Sequence, residues 1–211
     1  MKKFELTNEF ITNMFGTKLF RIRALVEFGD VEAGELGGYV EKESNLGHDD
    51  NAWVYDNAWV YGNARVYGDA QVSGNARVYG NAWVYGDAQV SGNARVYGNA
   101  WVYVNALVYG NARVCGDARV CGDARVCGNG DYAYAHGFGS VNRTTTFFRL
   151  KDGGVGVRCG CFYGTLAQFR DKIRETHGET KKAQEYLMLA DLMELRFEED
   201  ENEVGNRKYV E

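Results

Sequence analysis

Residues 66–83 read VYGDAQVSGNARVYGNAW, and residues 84–101 repeat the same eighteen letters. The unit divides into three six-residue phrases of the form Val-x-Gly-Asn/Asp-Ala-x. Outward from it, valine recurs at every sixth position from Val54 to Val126, and alanine follows four residues later from Ala58 to Ala124. A short fixed period of this kind is the signature of a solenoid. The residues flanking each valine, such as Arg77 and Tyr79 around Val78, alternate with it as in a strand, so valine points inward and its neighbours outward. The Gly-Asn/Asp pair turns the chain, and alanine is small enough for the inside of a corner. Three strands and three corners close a triangular coil of eighteen residues, with the next coil stacked about 4.8 Å away. Thirteen inward valines, at roughly 1.5–3 kcal/mol each, suffice for a narrow core.

Val104 occupies a glycine slot. A β-branched residue tolerates positive φ badly, whereas Asn and Asp tolerate it better. The slot after the glycine is Asn or Asp throughout, from Asn51 to Asn129. The expectation is therefore a left-handed residue at the Asn/Asp slot and an unstrained Val104.

The phrase resembles the hexapeptide-repeat family, whose coils form a left-handed parallel β-helix. The likeness covers roughly 80 of the 211 residues. The left hand is implied by this resemblance alone, since the general crossover rule favours the right. A second resemblance spans nearly the whole chain. LFRIRAL, GDVEAGELGGYVEKESNL, the repeats and CGCFYGTLAQF look like a hexapeptide-repeat family of bacterial phages and prophages, to which no established activity attaches. It implies a viral or prophage origin.

Outward residues sort into columns eighteen apart. The first side carries Trp53, Gln71, Gln89, Leu107 and Arg125 before valine, and Tyr55, Ser73, Ser91, Tyr109 and Cys127 after it. The second carries Trp59, Arg77, Arg95 and Arg113 beside Tyr61, Tyr79, Tyr97 and Cys115. The third carries Arg65, Trp83, Trp101 and Arg119 beside Tyr67, Tyr85, Tyr103 and Cys121. On the second side, Arg77, Arg95 and Arg113 against Tyr61, Tyr79 and Tyr97 read as an anion or partner strip, guanidinium groups holding phosphate or carboxylate and rings stacking on bases. The competing reading is structural: stacked tyrosines support the sheet and arginines lie over rings as cation–π partners. On the third side, Trp83 and Trp101 with Tyr67, Tyr85 and Tyr103 form an apolar face suited to a subunit interface or to the seat of the C-terminal helices. Hexapeptide-repeat proteins are often trimers, which adds a homotrimer or dimer to the possible partners.

Net charge is −5, which argues against a general nucleic-acid coat or a binder of anionic membranes. No apolar run is long enough to span a bilayer, and MKKFELTNEF has no apolar core of a signal peptide. Five cysteines, an odd count with three at outward repeat positions, point to free thiols in a reducing cytoplasm, which the second resemblance makes that of a bacterial host. Proline is absent, as suits continuous strand pairing.

Residues 1–50 read as an N-terminal cap with a first irregular coil, 51–140 as the β-helix and 141–211 as a C-terminal hairpin–helix module. Residues 1–18 show little pattern, and 19–26 read as a strand. Val40, Leu46 and Val54 are spaced six and then eight, which places a small insertion near Gly47-His48. Tyr132 and Phe138 keep the six-residue beat where the turn chemistry decays. RTTTFFRLK and GVGVRCGCFY form a hairpin at Asp152-Gly153. Thr165 and Gln168 have capping-box spacing for a helix reaching His177, with Gly178 as its stop. A second helix covers 181–197, and the polar end EEDENEVGNRKYVE is expected to fray. The module could cap the solenoid, cover one side or hold subunits together.

Hexapeptide-repeat enzymes are typically acyltransferases with a histidine base. No histidine lies between Asn51 and Gly130, and His136 is the one candidate. His177 reads as a cation at a helix C-terminus. Cys115, Cys121 and Cys127 fall on three different sides and cannot converge on a metal. No catalytic residue, metal or cofactor is therefore expected. The function expected is binding: occlusion of a host defence protein, such as a CRISPR effector, or sequestration of a nucleotide-like anion. A self-assembling solenoid and an acyltransferase are the alternatives.

Overall fold

The computed structural model describes residues 2–198. The polar tail from residue 199 lies outside the described residues, and the expectation of fraying falls there. The centre is a triangular β-solenoid whose coils advance eighteen residues each. Its first side is a parallel sheet of β4 (Trp53–Val54), β7 (Gln71–Val72), β10 (Gln89–Val90), β13 (Leu107–Val108) and β16 (Arg125–Val126). The second side holds β3 (Leu36–Val40), β5 (Trp59–Val60), β8 (Arg77–Val78), β11 (Arg95–Val96) and β14 (Arg113–Val114). The third holds β6 (Arg65–Val66), β9 (Trp83–Tyr85), β12 (Trp101–Tyr103) and β15 (Arg119–Cys121). All thirteen repeat valines and the corner alanines are buried in one continuous core. Registers such as Arg77↔Arg95↔Arg113 and Trp83↔Trp101 put the expected columns in line.

The corners depart from expectation. Positive φ falls on the glycine slot, as at Gly80 (72°) and Gly98 (71°), and Val104 itself sits at 61°. Asp56, at another glycine slot, has φ 53°. Ala76 donates to the Ser73 carbonyl (3.2 Å) across Gly74-Asn75, and Ala94 to Ser91 (3.3 Å) likewise, so corners of this kind are tight turns whose first central residue is left-handed, the pattern of a II′-type turn. Val104 is therefore strained. The Asn/Asp slot serves a different purpose: its side chains form ladders between coils, with Asn63 donating to Asn81 (3.2 Å), Asn81 to Asn99 (3.2 Å) and Asn99 to Asp117 (3.0 Å).

The weakly patterned N-terminus is ordered strand. β1 (Phe4–Thr12) and β2 (Lys18–Ala24) extend the second-side sheet antiparallel beyond β3. A register irregularity between Leu6 and Phe10 breaks the alternation, which is why the stretch reads poorly in sequence. Partners are twenty residues apart at Tyr39↔Trp59 and Leu46↔Val66 but eighteen at Trp53↔Gln71, so the insertion falls between Leu46 and Trp53, as the spacing expects. Trp53, placed outward in the sequence reading, is fully buried because Phe4 and Phe28 fold over its ring.

At the other end, β17 (Tyr132–Phe138), β18 (Arg143–Arg149), β19 (Val155–Cys159) and β20 (Phe162–Thr165) form one antiparallel sheet in that order. The expected hairpin is thus half of a four-stranded sheet. GVGVRCGCFY folds back at Gly160, where φ is 57°, and the chain around Tyr132 is already a sheet strand. The sheet closes the solenoid: Thr146 Oγ1 accepts from the Arg119 amide (2.9 Å), and Lys151 donates its amide to the Asp123 carbonyl (3.0 Å). Phe148 joins the solenoid core, while its neighbour Phe147 faces the opposite way into a second core. That second core holds α1 (Leu166–His177) and α2 (Lys181–Phe197). Thr165 and Gln168 make the reciprocal capping box, and Gly178 ends the helix. The buried residues of both helices pack on this sheet, so the sheet and not the third-side tryptophans is their seat, and α2 leaves Met188, Leu192 and Leu195 exposed. Among the described residues no helix is long and apolar enough to cross a membrane.

Candidate functional site

The second side is built as the period requires. One outward position before each valine and one after it, repeated every coil, bring Arg77, Arg95 and Arg113 into one column and Tyr61, Tyr79 and Tyr97 into the next. The tyrosine rings stack 5.0 Å apart, tilted 4° and 2°. Burial pushes the Tyr61 phenol up, with Tyr79 adding to the shift and Arg77 and Arg95 opposing it. Hydrogen bonding to Cys115, then burial, raises Tyr97. These phenols stay neutral at ordinary pH and do not cancel the arginine charge. Arg77 lies 4.1 Å over the Trp59 ring, so the cation–π role holds at the head of the column. No acidic group among the described residues pairs with the Arg95 guanidinium.

Two segments outside the coils overhang this side, and neither is evident from the repeat. The turn between β1 and β2 (Thr12–Phe15) closes a cavity of about 480 Å³ with Trp59, Tyr61, Arg77, Tyr79 and Arg95. Among the described residues no carboxylate lines it. Met14 and Phe15 stand largely exposed on the overhang, while Asn13 is buried, its Oδ1 accepting from the Phe15 and Thr17 amides. The sequence signal that could have found this wall is the pair of turn residues Asn13 and Gly16 just ahead of the strand-like run 19–26. At the far end, Tyr134 from β17 and Arg196 from α2 flank a second hollow of about 420 Å³ that takes in Tyr97, Arg113 and Cys115. The strip is thus a trough with a wall at each end.

The third side brings Trp83 and Trp101 into a stacked pair, 5.3 Å apart, with Arg65 and Arg119 over its two ends. Tyr67, Tyr85 and Tyr103 stack beside it. Burial, then a hydrogen bond to Cys121, drives Tyr103 far above the ordinary phenol range. The face remains half-exposed beyond the C-terminal sheet.

His136 is exposed on β17, with Nδ1 2.9 Å from Thr144 Oγ1, and lines neither hollow. Cys121 ends β15, while Cys115 and Cys127 directly follow β14 and β16, so the three lie on three different sides. Among the described residues no three His, Cys, Asp or Glu side chains gather as a metal site needs. His177 ends α1 and stacks on Tyr186 (5.9 Å).

Stacked parallel coils with in-line columns define a repeat β-solenoid protein. A family model described as the YdcK β-solenoid repeat matches four consecutive stretches, residues 58–70, 70–86, 88–103 and 106–122. All four lie within the regular coils, so the likeness concerns the repeat and leaves both caps outside it. No curated protein matches the chain.

Proposed function

We propose that the protein is a non-enzymatic binding scaffold whose second side takes a flat, nucleotide-like anion. The observation that carries this reading is Arg95. It sits in register between Arg77 and Arg113, lines a walled cavity with no carboxylate, and has no acidic partner among the described residues. Guanidinium groups suit phosphate oxygens, and the tyrosine faces suit a base. In the setting that the prophage resemblance implies, a small rigid protein in a bacterial cytoplasm that holds such an anion serves counter-defence by sequestration. Occlusion of a host protein is the alternative use of the same trough. The half-exposed Trp83–Trp101 face supports a dimer or trimer through the third side.

Differential scanning fluorimetry with linear nucleotides, cyclic nucleotides and inorganic phosphate tests the reading. Nucleotides are expected to raise the melting midpoint of the native chain, and Arg95→Ala and Tyr79→Ala to remove the rise, while His136→Ala retains it. No shift with any nucleotide, or an undiminished shift in Arg95→Ala, refutes it. A host protein captured without any nucleotide response points to occlusion instead.

A further inference from the structure

We infer that the C-terminal module holds a second, separate binding pocket, for a small carboxylate with an aromatic or branched apolar body. A cavity of about 270 Å³ lies between α1, α2, the β17–β18 loop and the β19–β20 turn. Its inner wall is apolar, formed by Phe162, Phe169, Ile173 and the Tyr186 ring. Arg143, Lys172 and His177 also line it, and among the described residues no Asp or Glu does. An apolar interior beside the cationic side chains of Arg143 and Lys172 is what an amphipathic anion requires. The volume is slightly below the usual ~300–1,000 Å³ of ligand pockets, which limits the occupant to about one ring with a short acid arm.

Arg143 is the residue that selects the anion. Its guanidinium lies across the backbone of Gly160, where a Cβ would collide with Nη1. The left-handed Gly160 turn therefore sets the position of the charge. No acidic side chain among the described residues pairs with Arg143. Lys172, by contrast, is held by Glu175 at 2.8 Å. Glu185 of α2 accepts from the Gly139 amide of the β17–β18 loop at 2.8 Å and is not among the described residues that line the cavity. The loop is tied down further by the Ser140 amide, which donates to the Tyr186 hydroxyl at 3.1 Å. The pocket is thus shaped before any ligand arrives, with an unneutralised guanidinium beside its apolar wall.

The test uses the full chain and phenylacetate as probe, followed by isothermal titration calorimetry and by chemical-shift changes. Neutral phenylacetamide and inorganic phosphate are the controls. Phenylacetate is expected to bind saturably, and more tightly than either control. Arg143→Ala is expected to weaken it about tenfold or more, the usual scale for losing a charge-assisted pair. Thr176→Trp, on an exposed helix position that lines the cavity, should block entry without burdening the core. Arg95→Ala should leave phenylacetate binding unchanged, which separates this site from the trough. Absence of saturable binding, equal affinity for the amide or for phosphate, or undiminished affinity in Arg143→Ala overturns the proposal.

Discussion

Replacing Val104 by aspartate should stabilise the solenoid, although it puts a charge in place of an apolar residue. Val104 has φ 61° and is 45% exposed. A left-handed conformation costs an L-residue about 1–2 kcal/mol, and Asp tolerates it better than a β-branched side chain. An acceptor also becomes available. At the equivalent slot, Asp56 Oδ2 accepts from the Gly74 amide, eighteen residues on, at 2.9 Å. Asp50 does the same for Gly68 at 2.6 Å. Aspartate at 104 would face the Gly122 amide in the same way, adding about 0.5–1.5 kcal/mol. Losing two half-wet methyl groups costs under about 1 kcal/mol. The net gain is about 1 kcal/mol, which for a chain of this size raises the midpoint by about 2–4 °C. Val104→Gly relieves the strain but gains no acceptor and frees the unfolded chain, so it should fall below Val104→Asp. Thermal and urea melts followed by far-UV circular dichroism decide. A Val104→Asp midpoint at or below the native one refutes the corner geometry as the source of strain.

Two further outcomes concern the ends and the aromatic columns. Lys3 is buried, and its Nζ donates to the Asp50 and Ala52 carbonyls, both at 2.8 Å, and to the Asp50 carboxylate at 3.2 Å. Lys3→Met strands these acceptors and should cost about 2–3 kcal/mol, discounted because Asp50 is partly exposed; a urea midpoint within error of the native chain's would contradict it. Tyr103 and Tyr132 are both raised above the ordinary phenol value, chiefly by burial. A phenol whose folded pKa exceeds its unfolded one contributes stability below about pH 10, and that stability is lost as pH rises further. Alkaline titration followed by tyrosinate absorbance should therefore show a late class of phenols that ionise together with loss of the β-sheet signal. Ionisation of every tyrosine near pH 10 with the fold intact would contradict this.

What the sequence makes legible follows from its period. A six-residue beat of valine fixes which side chains are inward, and the eighteen-residue unit fixes which outward ones align, so the Arg77–Arg95–Arg113 column can be read without coordinates. The α1 boundaries are legible too, because Thr165, Gln168 and Gly178 are local signals. The corner conformation is not, because two adjacent slots both hold residues tolerant of positive φ. Turns with either residue left-handed make the same hydrogen bond across the corner, so the backbone torsions alone distinguish them, and the Asn ladders show that Asn at the second slot serves coil-to-coil bonding. The walls of the trough are equally hidden. β1 carries a bulge that disrupts its alternation, and β17 inherits the repeat's beat at Tyr132 while pairing antiparallel with β18. Trp53 reads as outward because its local pattern is that of every coil; its burial depends on Phe4 and Phe28, distant in sequence.

The difference between the second and third sides favours the proposal that the second one meets an anion. Like charges directly opposite on neighbouring strands destabilise a sheet by up to about 1 kcal/mol. On the third side the arginines avoid this: Arg65 and Arg119 are separated by two coils of tryptophan, and each lies over a ring. The second side places Arg77, Arg95 and Arg113 on three consecutive coils. Only Arg77 there has a tryptophan beneath it. A column serving sheet stability alone would be better built in the third-side manner, since the same six-residue phrase accepts tryptophan in that slot. Three adjacent guanidinium groups beside a stacked tyrosine column, with walls at both ends, cost the empty protein some stability. On the proposed reading, phosphate or carboxylate oxygens bridging neighbouring coils would recover that cost.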